Sequence, residues 1–100
     1  LIFKCLADEN RLRIIQLLSQ RKYCVRALSK ELGISEPAVS QHIRLLKNAG
    51  LLEIGDKNGY HIHYAVNKNH LMLLSEEIKL LADSVQENRI CGGNCKGETK

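Results

Sequence analysis

The sequence predicts a mostly α-helical domain with one small β-hairpin placed before its last helix. Three observations carry this. Apolar residues recur at helical spacing through residues 1–50, punctuated by Gly33 and Gly50; alternating apolar and polar residues appear between 51 and 66; a long amphipathic stretch follows. One hundred residues with 44% hydrophobic and 26% charged content make one ordinary globular domain. With one Phe and no Trp, the core falls to Leu, Ile and Val, and so short a chain is expected to borrow stability from a second subunit.

The first segment, LIFKCLA, reads as an apolar helix end with Ile2, Phe3 and Leu6 spaced for burial. Asp8 is positioned to N-cap a second helix, ENRLRIIQLLSQ. Its Leu12, Ile15 and Leu18 mark one face, widened by Ile14 and Leu17. A third, short helix around VRALSKEL ends at Gly33, the residue type that best accepts a left-handed C-cap. Ser35 then N-caps a fourth helix, with Pro37 in the first turn, where a missing N–H is harmless.

Gly50 stops that helix, and LLEIGDKNGYHIHYAV reads as a hairpin with its turn around Gly55 to Gly59. The last helix, from about His70 to Asn88, sets Leu71, Leu74, Ile78, Leu81 and Val85 at heptad spacing. A second apolar set of Leu73, Leu80 and Ala82 favours a homodimer over packing within one subunit. Residues 1–90 are therefore read as the domain and 91–100, CGGNCKGETK, as a flexible tail rich in Cys and Gly.

No apolar run reaches the ~20 residues of a membrane span, and the N-terminus lacks the layout of a signal peptide. A cytoplasmic protein without a membrane partner is expected. In that compartment four cysteines read as ligands, redox thiols or core residues and not as a disulfide framework. The net charge of +4 is concentrated in residues 21–50, where Arg21, Lys22, Arg26, Lys30, Arg44 and Lys47 face only Glu31 and Glu36. Such a local excess points to a polyanion or to a solvated surface.

The fourth helix favours the polyanion. At 100° per residue, Ala38, Val39, Ile43, Leu45, Leu46 and Ala49 share one arc, while Glu36, Ser40, Gln41, Arg44, Lys47 and Asn48 take the other. A short helix, a tight Gly33-Ile34-Ser35 turn and a second helix exposing Ser, Gln and Arg suit the DNA major groove. There Gln pairs with adenine, Arg forks onto guanine and N-terminal amides face phosphate. The candidate DNA-contacting residues are Ser35, Glu36, Ser40, Gln41, Arg44 and Lys47, with Lys57 and Asn58 at the hairpin tip and Arg26 adding charge. His42 falls among the aliphatics and reads as a packed or interface residue. His61 and His63 share one strand face and read as wing or phosphate-contacting residues before metal ligands.

The segments LADENRLRIIQLL, YCVRALSKELGISEPAVSQHIRLLKNAGLL and YHIHYAV together resemble the arsenic-repressor-like (ArsR) winged helix-turn-helix repressors. They cover about four fifths of the chain in the family's order. The resemblance implies an α1-α2-α3-α4-β-β-α5 domain, dimerised through its first and last helices and bound to an imperfect inverted repeat of double-stranded operator DNA. Release follows an inducer. Two-fold symmetry predicts half-sites about 34 Å apart or a multiple of that.

The inducer is read residue by residue. Members sensing zinc-like metals on the last helix carry Asp-x-His and His-x-x-Glu pairs; the matching positions here are Lys68, Asn69, His70, Leu81 and Ser84, so only His70 is kept. Arsenic and cadmium sensors carry Cys-Val-Cys at the third helix, where this chain has CVRALS, keeping Cys24 and replacing the others by Arg26 and Ser29. The tail can supply the missing thiols. Cys24 with Cys91 and Cys95 makes a three-sulfur set suited to As(III) or Sb(III), and tolerant of cadmium or lead.

The alternatives are incidental tail thiols, and a thiol redox or persulfide response involving Cys91, Cys95 and Cys24. Persulfide-sensing members place a thiol near Gln16, which argues against the latter. Cys5, on an apolar helix, reads as structural. No motif supports an enzyme with a thiol nucleophile, and four cysteines argue against a purely architectural DNA-binding module.

Overall fold

The computed structural model describes residues 2–59, 61–87 and 91–93, with only the backbone described at positions 2 and 58. Five helices and one hairpin follow in the expected order: α1 (Ile2–Leu6), α2 (Glu9–Leu18), α3 (Val25–Leu32), α4 (Glu36–Asn48), β1 (Leu52–Asn58), β2 (His61–Val66) and α5 (Lys68–Asp83).

The helix boundaries have local causes. Asp8 accepts hydrogen bonds from the amides of Asn10 and Arg11 at the start of α2, and these bonds, Arg11's foremost, hold its carboxyl below the usual carboxylate range. Gly33, at φ 70°, closes α3 in the left-handed conformation. The next residue is pinned by Ser29 twice: Ile34 donates its N–H to the Ser29 carbonyl at 3.3 Å, and the Ser29 hydroxyl donates to the Ile34 carbonyl at 2.5 Å. This double link fixes the turn between α3 and α4.

Ser35 caps α4 by accepting from the Ala38 amide at 3.2 Å. The other end closes with Gly50 donating to the Lys47 carbonyl at 2.9 Å and Leu51 to the Leu46 carbonyl at 2.9 Å. That pair of bonds is a Schellman closure, and its usual apolar contact is present, because Leu46 and Leu51 are both fully buried in the same cluster.

The core gathers Ile14, Ile15 and Leu18 of α2, Leu28 of α3, Val39, Ile43 and Leu46 of α4, and Leu51 and Leu52 at the hairpin's base. Three expected core residues lie outside it. Phe3 is 50% exposed, Leu12 44% and Leu45 38%. Leu12 sits more than a quarter-turn from the centre of the α2 face, which Ile14, Ile15 and Leu18 define.

The hairpin differs from expectation at its turn. Gly55 lies inside β1, and the chain reverses between the paired Asn58 and His61. Ile54 opposes Tyr64 and Asp56 opposes His63, so Gly55 is an extra, unpaired residue. Such a bulge suits glycine, since a Cβ there would stand 3.1 Å from the His63 carbonyl. It also switches the phase of the strand, leaving Ile54 on the Tyr64 face and Asp56 on the His63 face.

α5 ends at Asp83, short of the expected Asn88, which lies outside the described residues. The Ser84 hydroxyl donates to the Leu81 carbonyl at 2.7 Å, a local bond that competes with helix continuation. Of the heptad stripe only Leu74 is buried; Ile78, Leu81 and Val85 are exposed, as are Leu73 and Leu80. Among the described residues no helix is long and apolar enough to cross a membrane.

Candidate nucleic-acid interface and thiol site

α4 buries Val39, Ile43 and Leu46 and turns Glu36, Ser40, Gln41, Arg44, Lys47 and Asn48 outward, all of them exposed. The outward set is the polar arc expected from the sequence, while Leu45 of the expected apolar arc is exposed. Ser35 is exposed too, but its hydroxyl is engaged in the cap. Arg44 donates a hydrogen bond to the Gln41 side-chain carbonyl, which sets both groups side by side on the outer face. Lys57 is exposed on β1, two positions from the reversal, while the Asn58 side chain lies outside the described set.

The hairpin is tied to α4 and to the segment before α3 by contacts that sequence reasoning missed. Lys47 places its ammonium 5.7 Å from the centre of the Tyr64 ring on β2, linking α4 to the wing. Lys22, in the segment before α3, reaches Asp56 on β1 at 2.8 Å. The other oxygen of the same carboxylate is 2.8 Å from His63 Nδ1. Both contacts hold the Asp56 carboxyl below its ordinary value, Lys22 more than His63. Asp56 in the GDKNG run gave no signal of this, because the bulge that turns it toward His63 cannot be read from the spacing.

His42 is half-buried, with Nδ1 3.2 Å from Arg11 Nη1. Arg11 also donates from Nε to the Cys5 carbonyl at 2.5 Å. The expectation of a packed histidine matches this position. His61 and His63 diverge in their surroundings: His61 is exposed, and His63 is occupied by Asp56.

Two of the three thiols expected as ligands, Cys24 and Cys91, fall among the described residues. Cys24 is a free, half-buried thiol at the N-cap of α3 and makes no capping bond with its side chain. Cys91 is exposed and disulfide-bonded. Cys95 lies outside the described residues. No group of three or more His, Cys, Asp or Glu side chains among the described residues could hold a metal ion. Cys5 is free and half-buried, its thiol 3.5 Å from the Leu45 carbonyl.

Comparison with known proteins places these features. Residues 8–53 match the family model described as bacterial regulatory protein, arsR family. The chain is 34% identical to the arsenical resistance operon repressor of Escherichia coli, over 99% of its own length and 90% of the relative's. It is 35% identical to a transcriptional repressor SmtB homolog of Synechocystis, over 86% of its own length and 62% of that protein's. Among solved structures, the homodimeric winged helix-turn-helix DNA-binding domain of a possible ArsR-family regulator from Mycobacterium bovis superposes with a TM-score of 0.64. The match has 25% identity and covers 90% of this chain and 83% of the other. With the winged helix-turn-helix architecture and this likeness over nearly the whole length of a curated repressor, the chain belongs to the ArsR family of bacterial regulatory proteins.

Proposed function

We propose that this chain is a homodimeric repressor that binds an imperfect inverted repeat in double-stranded operator DNA and releases it when a thiophilic inducer binds. Its family is one of DNA-binding transcriptional regulators, so the chain is a regulator and not an enzyme. The observation that carries the DNA reading is the exposed arc of α4, with Ser40, Gln41 and Arg44 facing outward beside the wing. Gln41 and Arg44 read base edges; Lys47, Lys57 and Arg26 add salt-dependent affinity. A footprint of the reduced protein on the promoter of its own gene tests this. Protection of two half-sites one or more helical turns apart supports it, and uniform coating of the DNA contradicts it.

Dimerisation is supported by apolar side chains that one subunit leaves open: Leu73, Ile78, Leu80 and Leu81 on α5, and Phe3 on α1. A second copy of the chain is the proposed occupant, in line with the homodimeric Mycobacterium bovis domain. Leu80→Glu combined with Leu81→Glu is expected to give monomers in light scattering; an unchanged mass would remove α5 from the interface.

As(III) or Sb(III) is the proposed inducer, with Cys24, Cys91 and Cys95 as ligands. The E. coli relative named for arsenical resistance supports this choice, as does the free Cys24 thiol at the start of the helix-turn-helix. The thiolate is the ligand form, so the disulfide at Cys91 must be reduced first. Release requires only that inducer favour the DNA-free arrangement, and a 5- to 150-fold effect corresponds to about 1 to 3 kcal/mol of coupling.

A further inference from the structure

We propose that the junction of α4 with the wing is a seat for one phosphate of the DNA backbone. Lys47 supplies the charge, Ser40 a hydroxyl donor, and the Tyr64 ring positions the Lys47 ammonium. This rests on the DNA-binding reading above and adds to it a specific site and a residue, Tyr64, with no other assigned role.

Three observations converge on it. A cavity of about 260 Å³ opens between α4, the start of α3 and β2, walled by Ser40, Arg44, Lys47 and Tyr64 and floored by Val25 and Ile43. Its charged walls, Arg44 and Lys47, are cationic, and among the described residues no carboxylate lines it, so its field favours an anion. Ser40, Arg44 and Lys47 follow one another at i, i+4 and i+7 and therefore stand in one stripe along α4. That stripe flanks the outermost position, held by Gln41, on the side toward the wing.

The third observation is the ring itself. A lysine on an open helix face samples many rotamers, and binding then costs their loss. Here Nζ stands 5.7 Å from the Tyr64 centroid, an arrangement in which the ring's quadrupole attracts the ammonium and narrows its range. Tyr64 is itself half-buried and packed against the core, so the platform is fixed. The start of α3 adds to the field, since Val25 is its first residue and Cys24 leaves the first-turn amides without a side-chain acceptor.

A phosphate contact is independent of sequence, so a mixed-sequence duplex is a sufficient probe. Affinity of the full reduced chain is measured against salt for wild type, Lys47→Gln, Tyr64→Leu, Tyr64→Phe and the Lys47→Gln/Tyr64→Leu pair. Losing one phosphate contact is expected to lower the slope of log affinity against log salt by about 0.9. Lys47→Gln and Tyr64→Leu should each show that drop, the pair no more than either alone, and Tyr64→Phe, which keeps the ring, wild-type behaviour.

An unchanged slope in Lys47→Gln overturns the seat. A normal slope in folded Tyr64→Leu overturns the positioning role, and if that variant does not fold, loss of slope in a folded Tyr64→Phe does so. Wild type that binds no DNA at all defeats the function reading instead, which keeps the two failures apart.

Discussion

Asp56 on the wing and Lys22 ahead of α3 are joined at 2.8 Å, across 34 positions of sequence. The contact ties the hairpin to the segment that leads into the helix-turn-helix, and His63 secures the other carboxylate oxygen at 2.8 Å. Cys24 lies two residues beyond Lys22, so the wing's anchor point and the proposed inducer thiol share one short stretch of chain.

The clasp has a pH signature. Because Asp56 titrates below its ordinary value in the folded chain, its contribution is complete above about pH 3.9, the unfolded value, and is lost as pH falls through the lower folded value. Asp56→Asn is expected to lower stability slightly above about pH 4, with the gap closing below it. Urea unfolding at several pH values checks this, and added salt should shrink the gap, as both groups are exposed.

Gly50 is constrained twice. Its φ of 82° suits glycine, and a Cβ would stand 2.7 Å from the His70 ring. Gly50→Ala should therefore destabilise by at least the roughly 1 to 2 kcal/mol typical of the left-handed conformation, plus whatever it costs to displace the His70 ring. Adding His70→Ala should recover the steric part and leave the backbone part. Denaturant midpoints of the single and double variants decide it, and simple additivity would count against the contact.

Leu46 joins the core to the α4 closure. It is fully buried, so Leu46→Ala is expected to cost about 2 to 5 kcal/mol. Ser35→Ala, which removes only the cap on the same helix, should cost about 1 kcal/mol. Equilibrium unfolding should place the two far apart, and equal losses would contradict the core assignment.

Base readers and phosphate contacts separate by specificity. Gln41→Ala and Arg44→Ala should each lose about 1 to 3 kcal/mol of discrimination at one operator position, whereas Lys57→Ala should weaken all sequences alike. Affinities on a panel of single-base operator variants check this. An unchanged preference in both α4 variants would move base reading elsewhere.

The parts legible in the sequence were those with local causes. Asp8, Gly33 and Ser35 stop or start helices through side-chain and backbone chemistry within a few residues, and each does so in the structure. The outward arc of α4 followed from a 100° step alone. What was not legible depends on distant partners. Gly55 carries the same turn signal as Gly59, but the close His63 carbonyl makes it a bulge. The Lys47–Tyr64 and Lys22–Asp56 links arise only when the hairpin folds back, and the apolar pattern of α5 continued past the point where Ser84 ends the helix.

The most direct test of the central claim is fluorescence anisotropy of the fully reduced chain on labelled DNA from its own promoter, titrated anaerobically with arsenite. The account predicts tight binding, stoichiometric release, and no release in Cys24→Ser or Cys91→Ser, both of which should still bind DNA normally. Tight binding that arsenite leaves untouched, or release that survives in both variants, would contradict the thiol-based inducer site.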